Sequence, residues 1–359
     1  VAIDPVYIPN AGAGHNAGYK AGLALAALTG QAVHFGGLVD DNPRPRPGLG
    51  PGGITMAAAA GAVSGGRFQG GLGKTELLFT PGGLPRPLAG DYQFDVARQQ
   101  KSAASVANIL EILALPLAAA GAESSLMLMG GTHVLGGLIS DELAHVLVPN
   151  WRGLGMNLSY TEVSPGFFPS AKGEAAASFG PGRQLAALQA EGPFAPRQVG
   201  VEVLTSGLPL HLAEQALDGA LGRLEVHGIT AAGRMRKARG GTGLALLIWA
   251  EGQGGDVFRV GFAELGQRGG RPGSVATTAA EALVSFLQSR CGMPSQLAAA
   301  LLPALAAAAG VSRLTVDRPS HALVAAARAI NACLPGCVRL EQRRPDSPVE
   351  VRVTGMGLM

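Results

Sequence analysis

Of seven histidines in the chain, His321 has the setting best suited to chemistry. It follows Arg318-Pro319-Ser320 and opens an apolar stretch, so Ser320 fits a helix N-cap and His321 falls in the first turn. The positive end of the helix dipole favours the neutral, nucleophilic imidazole, and the free amides of that turn can hold a phosphate. An ordinary exposed histidine at a helix start carries the same signature. The residues alone leave both readings open.

A second candidate is Gly12-Ala13-Gly14-His15-Asn16-Ala17-Gly18. It lies between a strand pattern and a helix pattern, where Gly12 and Gly14 can bring backbone amides to an anion. Its G-x-G-x-x-x-G spacing is one residue off the dinucleotide fingerprint, and no acidic residue follows a second strand convincingly. Gly70-Gly71-Leu72-Gly73-Lys74-Thr75 is excluded as a phosphate loop. The position five before Gly73 is Phe68, and Leu77–Thr80 reads as a strand where a helix is needed.

Cationic side chains gather at Arg44 and Arg46 in a proline-rich loop, and at Arg234, Arg236, Lys237 and Arg239 before a Gly-Gly. Either group suits a nucleic-acid backbone, and either suits a solvated loop. Cys333 and Cys337 share a C-x-x-x-C spacing with no further ligand pattern, so they read as small apolar residues flanking a turn and no metal site is expected.

These residues need a scaffold. With 359 residues, 47 % apolar and 15 % charged, the chain suits two or three modules around a large core and excludes disorder. The 54 glycines and 24 prolines punctuate periodic segments without a collagen period. The longest apolar run, Leu297 to Ala309, is interrupted by Pro303 and falls well short of about 20 residues, the length needed to span a bilayer. No signal pattern accompanies Val1–Ile8, so a soluble cytoplasmic protein is expected. Short strands alternate with longer helices: a strand at Val1–Ile8, a helix at Gly18–Leu28, helices at Ser102–Ala119, Val275–Gln288, Ser295–Ala309 and His321–Cys333. The recurrence points to a repeated mixed α+β unit in place of one doubly wound sheet.

Taken together, the segments resemble the RNA 3'-terminal phosphate cyclase family. Seven strings carry the likeness in register: Ile3-Asp4 with the glycine-rich turn and Leu28-Thr29-Gly30-Gln31, then Arg44-Pro45-Arg46-Pro47-Gly48-Leu49, Leu78-Phe79-Thr80-Pro81-Gly82, Gly130-Gly131-Thr132, Gly166-Phe167-Phe168-Pro169, Leu265-Gly266-Gln267-Arg268-Gly269 and Pro319-Ser320-His321. The resemblance implies three repeated units of two helices on a four-stranded sheet, spanning 1–185 and 276–359, with a smaller inserted α/β domain at 186–275. It implies a reaction as well. The histidine attacks ATP to form a covalent adenylate, which passes to an RNA 3'-phosphate; the 2'-hydroxyl then closes a 2',3'-cyclic phosphate and expels AMP, with Mg or Mn assisting.

The chain departs from the family pattern where that chemistry belongs. Alignment puts Ala13 at the family's glutamate, Ala17 at its glutamine, Lys20 at its arginine, and Ala298-Ala299 at its Asp-Gln. One arginine of the basic loop becomes Asp41, while the other remains as Arg44. The Thr-Asn after the histidine is missing. A carboxylate that engages metal or nucleotide typically supplies several kcal/mol of transition-state stabilisation. The expectation is therefore a protein that binds RNA 3' ends or structured RNA through Lys20, Arg44 and Arg46, with reduced or lost cyclase activity. The alternative is an active cyclase with His321 as nucleophile.

Overall fold

The computed structural model describes residues 4–40, 46–96, 104–135, 137–169, 171–252, 258–267, 269–345 and 347–359. The first unit holds strands β1 (Val6–Ile8) and β2 (Val33–Phe35), a small ribbon of β3 (Val39–Asp40) and β4 (Arg46–Pro47), then β5 (Arg67–Gln69) and β6 (Leu77–Thr80), with helices α1 (Ala13–Thr29) and α2 (Pro51–Ser64). The second holds β7 (Asp91–Asp95), β8 (Ser124–Gly130), β9 (Leu158–Ser164) and β10 (Gly173–Phe179). Its helices are α3 (Val106–Ala119) and a run of α4 (Ser140–Glu142), a π turn at Leu143–Leu147 and α5 (Val148–Leu154). The third holds β11 (Gln189–Ala190), β16 (Ala309–Val316), β17 (Val338–Gln342) and β18 (Val349–Met356) with helices α8 (Ser295–Ala307) and α9 (His321–Cys333).

All three sheets share one plan. Their orders are β1-β2-β6-β5, β7-β8-β10-β9 and β11-β16-β18-β17. In each, the first pair is parallel and the other two pairs are antiparallel. A parallel pair needs a crossover, and in each of the first two units that crossover contains a helix. The expected α+β repeat is thus present.

A fourth sheet departs from this plan. It contains β12 (Pro196–Ser206), β13 (Ala232–Ala238), β14 (Gly243–Gly252) and β15 (Arg259–Leu265) in the order β13-β12-β14-β15. Helices α6 (Leu210–Val226) and α7 (Pro272–Ser289) share a core with it, through Ala213, Ala216, Ala276 and Leu283 against Val201 and Ile248. The three repeated units pool their apolar faces in another core running from Ile8 to Val353.

Helix α1 lies at the centre of the pooled core, packed on α2, α3, α8 and α9. Its small residues permit the close approach: a Cβ on Gly18 would lie only 3.2 Å from the Ala325 carbonyl of α9. Fully buried Tyr19 fills the space beside Phe35, ring edge to face, and donates its hydroxyl to the Gly53 carbonyl at 3.0 Å. Regular α1 geometry begins near the expected Gly18, but three left-handed residues, Gly14, His15 and Asn16, join it from the turn. The first strand is confined to Val6–Ile8 among described residues, and residues 1–3 of that expectation lie outside them.

The basic segment at 234–239 is not simply a loop. Arg234, Arg236 and Lys237 lie on edge strand β13, which pairs in parallel with β12. Its strand character was hidden because β13 is exposed along most of its length and lacks the apolar alternation of a half-buried strand. Cys333 and Cys337 are buried free thiols whose pKa values burial pushes up to about 11, as small packing residues should be. No helix among the described residues is long and apolar enough to cross a membrane.

Candidate active site

Ser320 caps α9 as expected from the sequence: its Oγ accepts the Leu323 amide at 3.2 Å. The same hydroxyl accepts a 2.7 Å hydrogen bond from Ser295 Oγ, tying the start of α9 to the start of α8. His321 is the first residue of α9 and is exposed. The glycine-rich turn meets it directly. Gly14 has φ +61°, and a Cβ there would fall 2.3 Å from the Ala322 nitrogen and 2.6 Å from the His321 carbonyl carbon. The two candidate segments, about 300 residues apart in the chain, therefore come into direct backbone contact.

The turn is braced from below. Buried Asn16 donates to the Val39 carbonyl at 3.2 Å, an arrangement that suits asparagine in the left-handed region. The Gly12 amide is already engaged by the Gly37 carbonyl at 3.3 Å. Ala13 is exposed and Ala17 buried, and neither methyl can bind a nucleotide by charge or hydrogen bond.

Lys20 points into the protein. Its ammonium lies 2.7 Å from Glu111 on α3, with the two side chains only 15 % and 9 % exposed, and 3.4 Å from Asn108. The second carboxylate oxygen of Glu111 is buried without a hydrogen-bond partner among the described residues. The cation at this position is thus neutralised within the fold. Arg46 is exposed and lies 3.3 Å from Asp40; Arg44 and Asp41 lie outside the described residues. Ala298 and Ala299 are buried in α8 as packing residues.

A cavity of about 640 Å³ opens where the inserted sheet meets the repeated units. Ser295, Asp317 and Arg318 line it on the α9 side, with Asp317 Oδ1 accepting the Ser295 amide at 2.9 Å. Its wall is therefore one hydrogen bond from Ser320. Glu142 from α4 and Glu264 from β15 line it elsewhere. Burial pushes the Glu142 carboxyl up to about 7, against a hydrogen bond from the Ile139 amide and reinforced by Glu111, Asp141 and Glu264. Burial raises Glu264 too. Neither glutamate was signalled by the sequence, because no local motif marks a carboxylate that a distant strand will enclose.

Beside the cavity lies a buried charge network. His133, fully enclosed, faces Asp141 at 2.9 Å and Glu162 at 3.2 Å, and its Nδ1 lies 2.9 Å from Thr132 Oγ1. Arg236 of β13 reaches across to the same two carboxylates at 3.0 and 2.8 Å. His133 and Arg236 therefore both engage the two carboxylates and fasten the inserted sheet to the second unit. Burial opposes charging of His133, but hydrogen bonds and charge from Asp141 and Glu162 outweigh it, and its pKa rises. The two carboxylates, likewise penalised by burial, are held low by His133 and Arg236. Thr132 also accepts the Gly166 amide at 2.9 Å, so the strings Gly130-Gly131-Thr132 and Gly166-Phe167-Phe168-Pro169 build this corner together.

A second tie lies further along the same face. Asn150 exchanges hydrogen bonds with the backbone of Arg259 at 2.8 and 2.9 Å, while Arg259 stacks 4.7 Å over Trp249 and pairs with Glu251.

Three sheets of one topology and a fourth inserted sheet define a repeated α+β protein in which a helix that starts with a histidine lies against a glycine-rich turn. The RNA 3'-terminal phosphate cyclase model matches residues 16–339, nearly the whole chain, and the protein belongs to that family. Proteins bearing the name RNA 3'-terminal phosphate cyclase are similar to it throughout. The one from Methylococcus capsulatus is 33 % identical over 310 residues, covering 83 % of this chain and 82 % of the relative. Those from Archaeoglobus fulgidus and Methanothermobacter thermautotrophicus are each 28 % identical, over 329 and 314 residues, covering 90 % and 87 % of this chain and 93 % and 89 % of their own.

Proposed function

We propose that this protein binds RNA 3' ends and a nucleoside triphosphate at the cleft beside His321, and that its ATP-dependent cyclase activity is reduced or lost. The observation that carries this reading is the Lys20–Glu111 pair: the cation aligned with the family's arginine is spent on an internal carboxylate. The buried Ala298 and Ala299 add no polar group in compensation. Phosphate recognition then falls to Arg44, Arg46 and the amides at the start of α9. Among the described residues no three His, Cys, Asp or Glu side chains come together to hold a divalent ion.

One feature favours the alternative of an active cyclase. His321 opens α9 and its backbone abuts the glycine-rich turn at Gly14, which supports attack on a phosphate bound at that turn. Incubation with ATP radiolabelled at the α-phosphate separates the two. Little acid-labile adenylate is expected; robust labelling that His321→Ala abolishes establishes the enzyme.

RNA binding has its own check. Replacing Arg44 and Arg46 by alanine should weaken binding of a 3'-phosphorylated oligonucleotide and flatten its log–log salt dependence by up to about 1.4, at about 0.7 per single-strand phosphate. An unchanged slope means that RNA does not contact these arginines.

A further inference from the structure

The basic residues at the end of β13 have no part in the site described so far. Arg236 is engaged by Asp141 and Glu162, and Arg234 faces Glu202 across the strand pair. Lys237 and Arg239 are exposed, as is Lys172, which leads into β10. None of these three forms an ion pair or a side-chain hydrogen bond among the described residues. The segment after β13 closes on the turn at 165–168. A Cβ on Gly240 would lie 2.7 Å from the Pro165 carbonyl oxygen, and one on Gly243 would lie 2.1 Å from the Phe167 ring. Phe168 follows, 54 % exposed. The parallel bridge between His133 and Phe167 lays the segment bearing Leu135, 60 % exposed, alongside it. Buried Val134 and Ala171 pack together in the same two segments.

A corner that joins unpaired cations to an exposed aromatic ring has both parts needed to hold single-stranded nucleic acid: charge for the phosphates and a π face for a base. A protein strand fits less well, although β13 is the edge of its sheet. Lysine and arginine along an edge disfavour the addition of another strand, whereas they attract a polyanion. We infer that this corner binds a single-stranded stretch of RNA, with a base stacked on Phe168 beside Leu135 and neighbouring phosphates on Lys172, Lys237 and Arg239. The contact lies on the second unit and the inserted sheet, whereas Arg46 belongs to the first unit and His321 to the third. It rests on the reading that the protein binds RNA, and adds a second point of contact along the strand.

Fluorescence anisotropy of the full chain with an unstructured, 3'-phosphorylated RNA of about 15 nucleotides, the upper range of single-strand site sizes, tests it. Phe168→Ala should weaken binding about fivefold or more and leave its salt dependence unchanged. Phe168→Tyr, which keeps the ring, should bind as the unaltered chain does. Replacing Lys172, Lys237 and Arg239 together by alanine should flatten the log–log salt slope by up to about 2.1, at about 0.7 per single-strand phosphate. All four side chains are exposed, so these variants should keep the fold, and their melting curves check that. Full affinity in a folded Phe168→Ala protein, or an unchanged slope in the triple variant, overturns this inference and leaves RNA binding elsewhere intact. No RNA binding by the unaltered chain overturns the underlying reading as well. A polyglutamate peptide that binds as tightly as the RNA and displaces it assigns the surface to an acidic protein and overturns the RNA assignment.

Discussion

Replacing Gly14 by valine is expected to cost about 3–5 kcal/mol of folding stability and to abolish nucleotide binding. Two effects combine. The residue sits at φ +61°, where a β-branched side chain is strained. In addition, its Cβ would lie 2.3 Å from the Ala322 nitrogen and 2.4 Å from the Ala322 Cα, backbone atoms that can yield only if α9 moves. That movement would pull His321 away from the turn. Gly83 supplies the control. It has φ +70°, and a Cβ there would meet nothing within 4 Å, so Gly83→Ala should cost only the conformational strain, about 1 kcal/mol. Urea unfolding of the two variants compares them directly. Equal, small losses would show that the turn does not press on α9.

The largest pH-dependent effect is expected from His133. Its pKa in the folded protein lies above the ordinary 6.5, because Asp141 and Glu162 outweigh the burial penalty. Its stabilising contribution is thus fully present below about pH 6.5 and disappears as pH rises through the folded value. Asp141 and Glu162 act in the opposite direction, since their folded pKa values are depressed. Their contribution is present above about pH 4.3 and disappears as pH falls through the folded values. Stability from this network should therefore peak between about pH 4.5 and 6.5. His133→Leu removes the enclosed cation while leaving two buried carboxylates beside Arg236 alone, and a loss of about 3–5 kcal/mol is expected. Part of the loss is recovered in acid, where protonation relieves the stranded carboxylates. Melting temperatures of both proteins across pH 4–9 check this. Parallel curves would show that His133 stays uncharged in the folded protein.

How much of this was legible beforehand follows from how local each signal is. Ser320 and His321 were readable because an N-cap involves residues three apart, and the cap hydrogen bond to Leu323 is there. A repeated mixed unit was readable from alternating strand and helix patterns, while its threefold count came with the family resemblance, carried by short strings kept in order. Periodicity works for elements with one buried face, such as β8 or β10, and fails for β13, which is exposed along most of its length.

By itself, then, the sequence determined the repeated α+β architecture, the family, and the placing of His321 at the start of a helix. What the neighbouring charges do was decided only in three dimensions. Lys20 meets Glu111 across two helices, His133 meets Glu162 across two strand ends, and Arg236 reaches both acids from an inserted sheet. An ion pair of this kind depends on a Coulomb term that changes several-fold with distance and burial, and neither quantity is encoded in spacing along the chain. Glu142 and Glu264 illustrate the same point: each is an unremarked glutamate in its own segment, and only the closing of β15 over α4 sets them facing one cavity.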